Sequence, residues 1–286
     1  KGEQGYVDAG KYGLTVVVSA DGYKDKELSA TLTIQKATLT IKPQDLTVVP
    51  DEEILPELVI DGFVGDDSLQ DIDILPTFSG IANYALGLHE EAIEMSGAQD
   101  NNYDFVYEKA DLTVVTYKFI EEGQYLLYGA YPQSVVSNQT IIDALNSGIK
   151  NNSIIADANG YYTYNGRRYV SLVATPHSYI DNFNLFANGN EIENKEYFFV
   201  VQPIKWKVLE EGGKKLVVSD IIIDLEQFNA DPIATGGQNS NEYKNSDIRK
   251  WLNSNFIQSA FANSEFIDTT SLENGSSVGR PGDKYN

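Results

Sequence analysis

The stretch from Ala30 to Ile41, ATLTIQKATLTI, contains two nearly identical strand patterns in succession. In each copy threonine alternates with an apolar residue, the period-two pattern of a β-strand with one buried face. The pattern Lys-Ala-x-Leu-Thr-(Ile/Val) at 36–41 returns at 109–114. Similar strands at both ends of one segment predict repeated β modules along the chain.

Residues 1–36 form the end of one such module. KYGLTVVV at 11–18, an Asp-Gly turn signal and YKDKELSATLTI at 23–34 predict a β-hairpin. A hairpin alone is marginally stable in water. We therefore expect residues 1–36 to be the C-terminal part of a sandwich whose earlier strands precede residue 1.

Residues 37–116 repeat that ending and add the strands before it. Short β-like runs alternate with proline and glycine turn signals, which is typical of a β-sandwich. The predicted strands before the repeated ending are Ala37–Ile41, Leu46–Val49, Leu58–Ile60 and Ile72–Phe78.

The order of motifs in 37–116 resembles the bacterial immunoglobulin-like (Ig-like) repeats called MBG domains. The resemblance is carried by Pro56-x-Leu58, by Gly62 to Asp66, by Asn102-Tyr103-Asp104-Phe105 and by the repeated strand. It implies an all-β Ig-like sandwich used as a stalk or spacer, with no catalytic residues.

Residues 117–286 have a different pattern and predict an α+β domain. TIIDALNSGI at 140–149 has helical spacing, Pro203–Ser219 predicts a hairpin, and a second helix is expected after a cap at Asn245 or Ser246. We expect one shared core, formed by Ile204, Trp206, Val208, Trp251, Leu252, Phe256 and Phe261.

Four ordered motifs make 117–286 similar to an uncharacterised domain of Gram-positive surface and secreted proteins. They are Tyr128-Gly129-x-Tyr131-Pro132-Gln133-Ser134, Tyr161 to Gly166, Pro203 to Leu209 and Ser246 to Asn253. The layout also resembles the C-type-lectin-like fold shared with formylglycine-generating enzymes. Their activity is not implied, because it needs reactive cysteines and this chain has none. The domain is expected to continue beyond residue 286.

The charge distribution excludes one class of partner. The net charge is −21, and residues 37–116 alone carry two basic and seventeen acidic side chains, a net of −15. Such a field repels phosphate backbones, so no nucleic-acid partner is expected. No run of eighteen apolar residues occurs, so no membrane span is expected within this sequence.

No catalytic residue, cofactor or metal site is predicted. The two histidines, His89 and His177, belong to different predicted domains and form no cluster. Adjacent acidic pairs such as Glu121-Glu122 point to opposite faces of a strand, unlike the converging carboxylates of a glycosidase.

One hairpin is a candidate ligand surface. Two Asn-Gly turns flank a tyrosine-rich strand that leads into two arginines. Tyrosine offers a flat apolar face with a hydroxyl, and guanidinium groups pair with carboxylates or sulfates. The predicted ligand-binding residues are Tyr161, Tyr162, Tyr164, Arg167 and Arg168. The alternative is that both faces of this strand are covered.

Together these features predict part of a non-enzymatic bacterial protein, extracellular and either cell wall-associated or secreted. Ig-like spacer modules would present an adhesion or ligand-binding α+β domain to a host or matrix glycan or protein. Two alternatives remain: a carbohydrate-active enzyme that uses carboxylates in 117–286, and a spacer without a ligand. The oligomeric state is left open.

Overall fold

The computed structural model describes residues 5–78, 85–176, 184–210, 213–229, 243, 246–268, 272–273 and 284–285. By internal contacts the chain divides into two compact units. The first comprises Lys1–Thr47, Ile54–Gly80 and Leu88–Thr113, and the second Val48–Glu53, Ile81–Gly87 and Val114–Asn286. The predicted module boundaries at 36/37 and 116/117 stay predictions.

The first unit begins with a two-stranded antiparallel ribbon. It consists of β1 (Gly10–Val18) and β2 (Lys26–Ile34), with Gly10 opposite Ile34 and Val18 opposite Lys26. The predicted hairpin is therefore present, and its turn contains Gly22 at a φ of 85°. Most of its side chains are exposed, including Val16 and Leu28.

Two sheets make up the rest of the first unit. In the three-stranded sheet, β3 (Ala37–Pro43) pairs antiparallel with β5 (Leu58–Asp61) and parallel with β8 (Tyr103–Tyr107). The four-stranded sheet has the order β4-β9-β7-β6. Its members are β4 (Leu46–Val48), β6 (Thr77–Phe78), β7 (Gly87–Ser96) and β9 (Lys109–Val114).

Alternation of apolar residues buries one side of β3, β7 and β9. Leu39 and Ile41 of β3, Ile93 of β7 and Leu112 of β9 have no exposed surface. The prediction of a β-rich, multi-sheet architecture is confirmed. The strand predicted over Ile72–Phe78 is much shorter: Ile74 makes only an isolated bridge to Gln99, and Thr77–Phe78 pairs as a strand with β7. Pro76, between them, has no N–H to donate to a neighbouring strand.

The second unit is built on a six-stranded sheet of order β10-β11-β14-β13-β12, with β15 also paired to β14. Its long central strand is β14 (Lys195–Glu210). The others are β10 (Tyr117–Ile120), β11 (Tyr125–Val135), β12 (Tyr162–Tyr164), β13 (Arg167–Ala174) and β15 (Leu216–Ser219). Two short strands, β16 (Leu272–Glu273) and β17 (Lys284–Tyr285), pair separately.

Helix α1 (Gln139–Lys150) corresponds to the helix predicted at 140–149. The Asn138 side chain caps it by accepting from the amides of Thr140 and Ile141. Its apolar face packs on β13 and β14, where Leu145 is fully buried in a cluster with Tyr169 and Phe198.

The second predicted helix is present but contains a π-helical turn. It runs as α2 (Asp247–Trp251), a π turn at Leu252–Phe256 and α3 (Ile257–Ala260). The Ser246 hydroxyl accepts from the Arg249 amide at 3.2 Å and so provides the predicted cap; Asn245 lies outside the described part of the chain. A π-helical turn typically occurs in this way, as one wide turn inside an α-helix.

The core predicted for this region is present with one exception. Ile204, Phe256 and Phe261 are buried together with Tyr128 and Ala260. Trp206, Trp251 and Leu252 pack against them. The exception is Val208, which is partly buried and lies opposite Val217 in the β14–β15 ladder.

Candidate functional site

A half-open cleft of about 250 Å³ lies within the second unit, at the tip of the β12–β13 hairpin. Four chain segments contribute to it: the hairpin tip, strand β11, strand β14 and the acidic segment that follows β4. Its lining residues are Asp51–Glu53, Leu127, Gln133, Gly166–Arg168 and Val200–Pro203.

Turn chemistry fixes the hairpin tip. Asn165 and Gly166 have φ values of 48° and 73°, and a two-residue type I′ turn needs a positive φ at both central positions. The ladder that follows places Arg167 opposite Tyr164 and Arg168 opposite Thr163. Because neighbours along a strand point to opposite faces, the two guanidinium groups leave the hairpin on opposite sides.

Arg168 makes the most buried charge pair of the cleft. Its Nε donates to Asp51 Oδ1 at 2.6 Å and its Nη2 donates to Asp51 Oδ2. The Asp51 side chain is only 3% exposed, and the guanidinium lies 4.8 Å from the centroid of the Tyr161 ring. Burial acts to lower the pKa of Arg168, but the hydrogen bond and charge of Asp51 outweigh it, so the pKa is raised.

The next two acidic residues are also paired. Glu53 forms an ion pair with Arg167. Glu52 accepts from Lys118 Nζ at 2.6 Å and from the Val49 amide at 2.9 Å. The three consecutive carboxylates of residues 51–53 thus form ion pairs with three different basic side chains.

An irregularity in β11 supplies the opposite wall. The pairing of β11 with β14 shifts register between Pro132 and Ser134, and bulges of this kind redirect a side chain. Here Gln133 Nε2 donates to the carbonyls of Gln202 and Pro203, at 2.8 and 3.0 Å. These two hydrogen bonds fix the Gln133 side chain, which lines the cleft, against the middle of β14.

The predicted tyrosines lie beside this cleft, but they are not an exposed face. Tyr161 is buried in a cluster with Ala130, Val170 and Val201, and burial raises its pKa. Tyr162 and Tyr164 are partly buried against the cluster under α1. On this strand it is Thr163 that is exposed. The predicted binding role of these tyrosines stays a prediction; as arranged, they support the hairpin from both sides.

The arrangement suits recognition by charge-assisted hydrogen bonds. All three carboxylates that line the cleft accept from a lysine or arginine, which is unlike the paired acid and nucleophile of a glycosidase. In the described ranges, no group of three or more His, Asp or Glu side chains is placed to hold a metal ion. His89 lies in β7, and His177 falls outside those ranges.

Sequence reasoning located the arginines but missed their partners Asp51, Glu52 and Glu53. A signal was present in the run Asp51-Glu52-Glu53, which lies between the apolar residues Val49 and Ile54. Three adjacent carboxylates repel one another, and nearby cations relieve that repulsion. Arg167-Arg168 is the single adjacent arginine pair in the sequence.

Comparison with known proteins gives one family match. The model of a domain of unknown function, DUF6273, matches residues 212–284, a stretch that contains β15, α2 and α3. The match is compatible with the uncharacterised domain predicted at 117–286. No curated protein and no solved structure matches the chain. The resemblances to MBG repeats and to the C-type-lectin-like fold stay predictions.

None of the helices in the described ranges is both long enough and apolar enough to cross a membrane.

Proposed function

We propose that this chain is part of a bacterial cell-surface or secreted protein in which Ig-like β modules act as a spacer and the C-terminal α+β unit binds a ligand without catalysis. The ligand class is a host or matrix glycan or protein with anionic groups. The observation that carries the proposal is the cleft at the hairpin tip, where two guanidinium groups are held in fixed positions.

The construction of the hairpin supports a binding role. Its two faces rest on the core clusters that contain Tyr161 on one side and Tyr162 with Tyr164 on the other. A rigid support lowers the conformational cost of binding. Arginine is suited to this use, because its planar group recognises carboxylates and sulfates with paired hydrogen bonds.

The spacer role is supported by the repeated strand at 36–41 and 109–114 and by the sheets of the first unit. Modules repeated in tandem extend a chain, because each contacts only its neighbours. The acidic charge of this region favours solubility.

The test is a binding screen of the whole chain against arrays of glycans and matrix proteins, followed by affinity measurements. Arg167→Gln should weaken binding of a ligand found in this way by about tenfold, the loss expected for one charge-assisted contact. Lys24→Gln is the matched control, because it makes the same charge change at an exposed residue beyond β1. A ligand whose affinity is the same for both variants would place binding elsewhere.

The same screen separates the alternatives. Cleavage of an arrayed glycan would indicate a carbohydrate-active enzyme. A complete lack of binding by the folded chain would favour a spacer without a ligand.

A further inference from the structure

The acidic segment Asp51–Glu53 meets the hairpin tip in the manner of a bound peptide. Asp51 pairs with Arg168 on one face of the hairpin and Glu53 pairs with Arg167 on the other. The two carboxylates are two residues apart, so a short stretch of peptide engages both faces of the tip. Glu52, between them, is directed to Lys118 instead.

We propose that the tip of the β12–β13 hairpin is a recognition site for an acidic peptide segment of a partner protein, and that the chain's own Asp51–Glu53 segment occupies this site in the structure. The inference rests on the proposed ligand-binding function and adds to it the chemistry of the ligand. The preferred sequence has carboxylates at positions i and i+2.

The geometry favours a peptide over a sulfated glycan. The site already accommodates a peptide backbone with its acidic side chains, and Asp51 fills the bidentate position on Arg168 with a planar carboxylate. A planar carboxylate matches the guanidinium fork with two parallel hydrogen bonds.

Exposure indicates which part of the segment an external peptide can reach first. The Arg167–Glu53 pair is the more exposed, with 39% and 56% of the two side chains accessible. Because exposed ion pairs contribute little stability, an external carboxylate can replace Glu53 first and Asp51 afterwards.

The tethered segment must compete with any external peptide. An intramolecular competitor acts at a high effective concentration, so the unmodified chain should bind acidic peptides weakly. Neutralising the segment should therefore increase the measured affinity.

The experiment uses the whole chain and a fluorescent peptide with the sequence of residues 48–56, VVPDEEILP. Fluorescence polarisation should show that the triple variant Asp51→Asn, Glu52→Gln, Glu53→Gln binds this peptide about tenfold more tightly than the unmodified chain. The gain should disappear when Arg167→Gln is added, when the peptide carries Asn-Gln-Gln in place of its acids, or in high salt.

A second triple variant controls for net charge. Glu57→Gln, Glu90→Gln and Glu196→Gln remove the same three negative charges from exposed positions and should give no gain. Circular dichroism and thermal melting establish that each variant is folded. A folded segment variant without a gain in affinity overturns the proposal.

If the triple variant does not fold, Glu53→Gln alone decides the question, because it changes the exposed pair and should still give about a twofold gain. No gain in that variant also overturns the proposal. Tighter binding of a heparin oligosaccharide than of the peptide would assign the site to sulfated glycans and overturn the peptide assignment.

The two proposals fail in distinguishable ways. A ligand from the screen whose binding is weakened by Arg167→Gln, together with no gain in peptide affinity for the segment variant, would contradict this inference alone. No binding of an arrayed ligand or of the peptide by either form would contradict the proposed function as well.

Discussion

Phe261 shows at the scale of one residue how the core of the second unit depends on shape. Its ring lies 4.9 Å from that of Tyr128, centroid to centroid, and 6.2 Å from that of Trp206. On another side it approaches Gly129, where an added Cβ would come within 2.6 Å of the ring. Gly129 also has a φ of 71°, so two independent constraints require glycine there.

Phe261→Ala should lower the free energy of unfolding by about 3–5 kcal/mol, because the ring is 92% buried (8% exposed) and its loss leaves a cavity. Phe266→Ala is a matched control in the same aromatic group, since Phe266 is 51% exposed. Its cost should be about 1 kcal/mol. Urea denaturation monitored by circular dichroism measures both values, and equal costs would show that Phe261 is not a core residue.

At the scale of elements, helix α1 depends on its N-cap. Asn138→Ala removes the side-chain oxygen that accepts from the Thr140 amide at 2.9 Å and should cost about 1 kcal/mol of stability. Asn138→Asp keeps an acceptor and adds a negative charge at the positive end of the helix, so it should match or exceed the original stability. Thermal melts of the three proteins test this. An alanine variant as stable as the aspartate variant would contradict it.

Elements with local signals were predictable from the sequence. The 140–149 pattern gave α1 to within one residue at each end, and Ser246 caps α2 as expected. The π turn at Leu252–Phe256 was not predictable, because side-chain periodicity does not report a wider backbone hydrogen bond.

The hairpin was predicted over Pro203–Ser219, whereas β14 begins at Lys195 and includes Pro203. A proline argues against the interior of a strand, since it cannot donate to a neighbouring strand. In the structure β13 pairs with β14 as far as Val200 and β15 pairs with it from Trp206. Pro203 falls between these ladders, so β14 continues through it.

Only those residues of the candidate site that are neighbours in the sequence could be predicted. The Asn-Gly turn and the two arginines are adjacent in the sequence, whereas Asp51 reaches Arg168 across 117 positions. Pairing at that distance is decided by tertiary packing, which single-sequence patterns do not contain. The tyrosine prediction depended on an open face; in the structure Tyr161 is buried, and Tyr162 and Tyr164 are partly buried against the cluster under α1.

At the scale of the whole molecule, buried tyrosines contribute to the response to alkaline pH. Burial raises the pKa of Tyr128, Tyr131, Tyr161 and Tyr169 above the ordinary value. For Tyr131 a hydrogen bond to Asp224, 2.5 Å between oxygens, acts in the same direction. In the unfolded chain these phenols ionise near pH ~10.

The tyrosine contribution to stability should therefore be constant up to about pH 9 and fall as the pH rises above about 10. Above that pH the unfolded chain binds fewer protons than the folded chain, so the free energy of unfolding decreases, by about 1.4 kcal/mol per pH unit for each tyrosine that remains protonated only when folded. Urea midpoints measured across this range, with tyrosinate absorbance recorded in parallel, test the prediction. Tyr131→Phe should reduce the slope, because it removes one of the linked groups. Ionisation of all the tyrosines at pH values where the chain is still fully folded and equally stable would show that burial does not protect them.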